Sequence, residues 1–348
     1  MRLRMRIAVI VLALVAIAAF AVLAILNPAV ALKGWLAAFV WAGMIPIGSL
    51  TLLLVHRITG GEWGFALAPV LEPAARAIGG VALLAIPVVI FPAAIYRWQS
   101  PEMPRPVADY YMTGPLFALR TIAAFCAWTM LAWLPCLRRS VTGAAVGLIV
   151  LGVVTNVIAV DWVESTQPGY HSSSFGFGLW IEQMLAAFAF CALIGTEGDE
   201  KRECRDLAGL LIATLLGTIY FVYVEFAVIW YGNLPKKAAW FISRSHAPWP
   251  EIGGFAFAIG AVAPFLALLS KEARESEKWL RVIGGAMSVA IVLHVIWLVV
   301  PSFEDAAILP ALIALPAIAM AFALWIGRFT GLWPPTWGPT IVPAERNA

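Results

Sequence analysis

Charge is what this chain has least of. Only 12% of its 348 residues are Asp, Glu, Lys or Arg, about half the share of a soluble domain, and mean hydropathy is +0.89. A soluble globular protein is excluded. The net charge of +3 supplies no basic surface, so no nucleic-acid partner is expected. Extended repeats, low-complexity blocks and long charge runs are missing too.

Cofactor-bearing patterns are equally scarce. The four cysteines, Cys126, Cys136, Cys191 and Cys204, stand alone, with neither a CxxCH haem attachment nor iron–sulfur spacing, so no cofactor is expected to be bound covalently and no metal site is expected. A b-type haem in a helix bundle usually needs two axial histidines at membrane depth. Of His56, His171, His246 and His294, only His294 lies well inside an apolar run. A Walker sequence and a phosphate-cradling glycine loop are also absent. If the chain takes part in redox chemistry, the electron carriers belong to partners.

What the chain has instead is apolar runs of the roughly 20 residues needed to cross a bilayer. Ten occur, near 7–26, 34–55, 75–96, 115–136, 143–161, 173–194, 207–230, 252–270, 280–300 and 306–327. The expected fold is therefore an all-α integral membrane protein of about ten transmembrane helices, with the lipid bilayer as its solvent. Residues 1–33 form an N-terminal anchor helix, 34–161 a first helix bundle, 162–301 a second, and 302–348 the last helix with an inner interfacial tail. Ala29-Val30-Ala31 could be read as a signal-peptidase site, but the preceding apolar run is longer than the usual 7–15 residues. A retained anchor is expected.

Lys and Arg set the orientation. With the N-terminus inside, Arg2, Arg4, Arg6, Arg57, Arg76, Arg138, Arg139, Lys201, Arg202, Arg205, Lys271, Arg274, Lys278, Arg281, Arg328 and Arg346 face the cytoplasm. Lys33, Arg97, Arg105, Lys236, Lys237 and Arg244 face outward. The positive-inside rule favours this arrangement, with both termini cytoplasmic in a bacterial inner membrane.

Against that apolar background a few polar side chains stand out. Glu225 interrupts the run Leu207 to Tyr231. Arg120 lies near the outer start of the fourth span, Asp161 at the outer end of the fifth, Glu182 inside the sixth and His294 in the outer half of the ninth. The five are expected at similar depth, lining one polar cavity in the outer half. Charges within a membrane are costly and mark ion, proton or substrate pathways. A carboxylate balanced between burial and a nearby cation can exchange protons, and histidine is the other natural carrier. The cavity would serve proton transfer or a quinone headgroup. Alternatively, Arg120 pairs with one carboxylate and the group only holds helices together. In the outer loops, Ser172 to Ser174 can cap the sixth span. Lys236, Lys237, Trp240, Phe241 and Arg244 suit a short helix in the outer interface.

Four stretches together resemble a known family. They are His56-Arg57-Ile58-Thr59-Gly60-Gly61-Glu62-Trp63-Gly64, the loop from Asp161-Trp162 to Phe175-Gly176, Glu225 through Pro235, and Leu293-His294-Val295-Ile296-Trp297-Leu298-Val299-Val300-Pro301. In order and position they resemble the ActF-type membrane subunit of bacterial alternative complex III, a quinol:cytochrome c oxidoreductase, and a relative of the NrfD and PsrC membrane proteins. The resemblance implies two four-helix bundles plus two peripheral helices. It implies as partners an NrfD-like quinol-binding membrane subunit, an iron–sulfur subunit, and multihaem and monohaem cytochrome c subunits. Quinol would bind mainly in the NrfD-like partner, and this chain would not be catalytic alone. Asp161, His171, Glu225 and His294 match motif positions and carry over as a possible proton path. Glu182 and Arg120 rest on depth alone. A proton-coupled secondary transporter and an assembly or anchoring subunit without a proton role are the alternatives.

Overall fold

The computed structural model describes residues 2–98, 100–133, 140–195, 201–303 and 307–329. Cys136, Arg138, Arg139, Arg346 and the segment Trp333 to Pro339 lie outside these. Among the described residues every regular element is helical, as the hydropathy pattern requires. In lipid, only a helix or a closed barrel satisfies every backbone polar group.

Helix α1 (Arg2–Leu26) leads into α2 (Pro28–Thr59). Asn27 starts α2 by accepting the Val30 N–H, and Pro28 occupies a first-turn position where no N–H is needed. Then come α3 (Glu62–Arg76), α4 (Ile78–Leu84), α5 (Ile86–Ile90) and α6 (Pro92–Ile95). The third expected span is thus a broken helix. Pro87 and Pro92 lack the N–H that would continue it. Helix α3, left as a loop by the hydropathy reading, buries Gly64, Leu67, Leu71, Ala74 and Ala75 at helical spacing, the stripe of an amphipathic helix.

Helices α7 (Gly114–Trp133), α8 (Val141–Trp162), α9 (Phe175–Ile194) and α10 (Lys201–Tyr231) follow. The short α11 (Pro235–Ile242) precedes α12 (Trp249–Phe257), a π turn at Ala258–Val262, α13 (Ala263–Leu268) and α14 (Lys271–Arg274). Helices α15 (Glu277–Val299) and α16 (Ile308–Phe329) complete the described chain. Eight stretches among the described residues are long and apolar enough to cross a membrane. The expected first and tenth spans fall on shorter apolar stretches, Leu14–Leu26 and Ile308–Ala319.

Two helices organise the packing. Helix α2 touches α3, α8, α9 and α16, and α9 touches α2, α8, α10 and α15. Lipid tails are as apolar as leucine, so helices in a bilayer associate through close packing at small residues. At Gly48 of α2 a Cβ would fall 1.8 Å from the Gln183 carbonyl oxygen of α9. The two backbones are in direct contact there. Gly195, at φ 99, ends α9 in a conformation that a side chain would strain.

The cations assigned to the cytoplasm come together at one end. Lys201 and Arg205 of α10 and Lys271 of α14 all reach Glu275, at 3.7 to 3.9 Å. The groups assigned to the outer half gather towards the opposite ends of the helices.

Candidate functional site

Helix α9 places Glu182 seven residues past Phe175, about 10 Å along a helix of about 30 Å. The side chain is almost wholly buried. Helix α15 brings His294 to it, with Nδ1 2.6 Å from Glu182 Oε1. That separation is at the short end for a charge-assisted bond. The imidazole is held flat against Trp297, with centroids 5.7 Å apart and planes 18° apart. The result is an acid–base pair sharing a proton position inside the membrane-spanning region.

Glu225 comes from α10. Its carboxylate accepts the Tyr170 hydroxyl at 3.2 Å and the Ser172 hydroxyl at 3.3 Å. Both donors belong to the turn just before α9, and Ser174 is the residue that precedes its first turn.

Between Glu182, His294 and Glu225 is a cavity of about 40 Å³ that Thr218, Trp240 and Trp297, among others, also line. One water needs roughly 10–15 Å³ measured this way, so about three fit.

Arg120 and Asp161 do not line this cavity. Arg120 Nε meets Asp161 Oδ2 at 2.5 Å, and its Nη1 donates to the Tyr111 carbonyl at 2.9 Å. The guanidinium also lies 3.8 Å over the Tyr111 ring. Asp161 is fully buried. The reason is topological: α7 packs on α8 and α4, on the other side of α2 and α9 from α10 and α15. The single five-residue cavity is thus corrected to two separate clusters.

His171 lies apart from both. It lines a larger cavity of about 470 Å³ with Glu164, Asn156, Gln167 and Tyr111. Its Nδ1 is 3.7 Å from Glu164 Oε1, too far for a hydrogen bond. Burial lowers its pKa from the ordinary value, with Lys237 adding to the effect. The ring is neutral at pH 7.

Glu164 itself was not singled out in the sequence, because a carboxylate in a polar loop is unremarkable. The structure buries it and directs the Ser172 N–H to its Oε1 at 3.3 Å. Ser172 thereby links the two cavities, its amide on Glu164 and its hydroxyl on Glu225. Tyr170, also missed, is fixed by stacking on Trp240 at 4.4 Å. Trp240 and Arg244 are buried as well, correcting their reading as interfacial residues. No protein-family profile and no curated protein matches the chain. Among the described residues, no three His, Cys, Asp or Glu side chains converge as a metal site.

Proposed function

We propose that this chain is a non-haem, multi-spanning subunit of a quinol-oxidising respiratory complex in a bacterial inner membrane, and that it handles protons in the outer half of the bilayer. The observation that carries the proton role is the Glu182–His294 pair facing Glu225 across space for about three waters. A proton arriving on Glu225 passes along those waters to His294, and the proton already shared by the pair moves to Glu182. Each such transfer leaves the histidine neutral and the added proton on Glu182, so no charge accumulates on the histidine. The motif resemblance supports the complex. Quinol and the electron carriers are assigned to the NrfD-like, iron–sulfur and cytochrome c partners, and the two outermost helices complete ten spans.

Affinity purification of the tagged chain from its native membrane tests the complex. Recovery of multihaem and iron–sulfur polypeptides supports it, and a lone homo-oligomer sinks it. For the proton role, Glu225→Gln and Glu182→Gln should leave assembly intact but diminish proton release or membrane potential. Unchanged proton stoichiometry in both would reduce these residues to structural contacts. A proton-coupled transporter is the second reading. It is favoured by the 470 Å³ cavity next to Ser172, which falls within the size range of small-molecule sites.

A further inference from the structure

Arg244 is a buried charged residue near the site that the proton reading leaves without a task. It is 3% exposed, and all its donors go to neutral acceptors. Nε donates to the Trp297 carbonyl at 3.0 Å and Nη2 to the Leu298 carbonyl at 2.6 Å. Nη1 donates to the Trp240 carbonyl at 2.7 Å, with Ser243 Oγ and Gln167 Oε1 at 3.1 and 3.4 Å. No carboxylate among the described residues forms an ion pair with it. Burial lowers its pKa to about 9, which still leaves it charged at neutral pH.

The acceptors explain the arrangement. Trp297 and Leu298 are in the last turn of α15, where carbonyls lack helical partners. Residue 301, which would supply the N–H for Trp297, is proline and has none. The Trp240 carbonyl at the end of α11 lacks a backbone N–H, because the Arg244 N–H bonds Phe241 instead, and it accepts the Ser243 hydroxyl at 2.9 Å beside the guanidinium. A cation at the negative ends of two helices is favoured by their dipoles. One guanidinium thus ties the C-termini of α11 and α15 together.

Those two helix ends lead to the two halves of the proton site. The Arg244 guanidinium lies 3.5 Å over the Trp240 ring. Trp240 stacks on Tyr170, and the Tyr170 hydroxyl bonds Glu225. On the other arm, Trp297 stacks on His294 one turn back along α15. We infer that Arg244 is a positioning residue that sets the Glu225 carboxylate and the His294 imidazole at the spacing their intervening waters require. The inference rests on the proton reading above.

The titratable groups that feel this fork directly are Tyr170, from the turn before α9, and His294 of α15; behind them Glu225 bonds Tyr170 and Glu182 bonds His294. A lysine at 244 would keep the charge but has neither the planar fork nor the stacking face. Charge and geometry can therefore be separated.

The test is infrared spectroscopy of the intact complex, with the Glu225 carboxyl band assigned by its loss in Glu225→Gln. Nuclear magnetic resonance of the ring nitrogens, assigned with His294→Asn, reports the other arm. Arg244→Lys should move the Glu225 band to the position of a carboxyl lacking the Tyr170 bond, the position Tyr170→Phe defines. It should also displace the His294 signal and slow proton transfer about tenfold or more. Trp240→Leu should move the Glu225 band and leave His294 where it was. A folded Arg244→Lys with wild-type band and ring signals overturns the inference. So does Arg244→Lys behaving as wild type while Arg244→Gln fails, since charge alone would then suffice. If Arg244→Lys does not fold, an unmoved band in Trp240→Leu is the overturning result. Wild-type proton transfer in Glu182→Gln and Glu225→Gln would remove the proton reading, whereas the two spectroscopic signals judge Arg244 independently.

Discussion

Two acid–base pairs are buried towards the outer ends of these helices, and they are built for opposite purposes. Arg120 and Asp161 join α7 to α8, with a guanidinium that does not release its proton in any ordinary pH range. Glu182 and His294 join α9 to α15, with an imidazole that can. The first pair lies beside Tyr111 and has no share in the water-sized cavity, while the second forms one wall of it. On the proposed reading, the choice of base separates a lock from a relay.

The largest expected effect comes from breaking the lock. Arg120→Leu leaves the fully buried Asp161 carboxylate without its cation, a change that costs on the order of 3–5 kcal/mol. Thermal unfolding in detergent should show a much less stable protein, and a variant as stable as the parent would refute the reading of this pair as structural. Glu182→Gln should do the converse. Stability changes by about 1 kcal/mol, while proton transfer falls on the order of 100-fold. A larger loss of stability than of transfer would merge the two pairs into one class.

Smaller effects should sharpen the boundary of the relay. Ser172→Ala removes one of two donors to Glu225 and should slow transfer severalfold without altering assembly, as followed by potential-sensitive dyes in vesicles. An unchanged rate would confine the relay to the inner cavity. The smallest effect concerns His171. Its pKa is lowered in the folded protein, so whatever stability it contributes is present above its ordinary pKa near 6.5 and is lost as pH falls. His171→Gln should therefore lose slightly less stability than the parent between about pH 7 and pH 5. Proton transfer above about pH 6.5 should be unaffected, since His171 lines the other cavity and not the one between Glu225 and His294. A strong fall in transfer at that pH would return His171 to the path.

The helical membrane class was legible because apolar runs of crossing length leave no other way to satisfy the backbone. The breaks at Pro87 and Pro92 follow from the N–H that each proline lacks. Helix α3 was not, because its apolar stripe is mixed with Glu62, Glu72 and Arg76 and falls below the hydropathy of a span. Glu182, Glu225 and His294 were conspicuous as polar residues in apolar runs. Their partners were not, since pairing depends on which helices are neighbours and how each is rotated. Arg120 pairs with one carboxylate, as the alternative reading had it, and the packing of α7 on α8 makes that carboxylate Asp161. Tyr170 and Glu164 escaped notice because polar residues in a loop carry little signal. Arg244 was misassigned because an arginine near lysines and aromatics at a helix end has the composition of an interfacial anchor. Only the orphaned carbonyl created by Pro301 hinted otherwise.

The contact at Gly48 has a bearing on which kind of machine this is. A carrier that alternates access by rocking one half of its fold against the other needs a seam that can slide. Here α2 and α9 meet backbone to backbone at Gly48, one turn from the side-chain bond between Trp180 and Thr51. On the proposed reading the moving parts are protons, waters and side chains, and the helical frame is a stator around them.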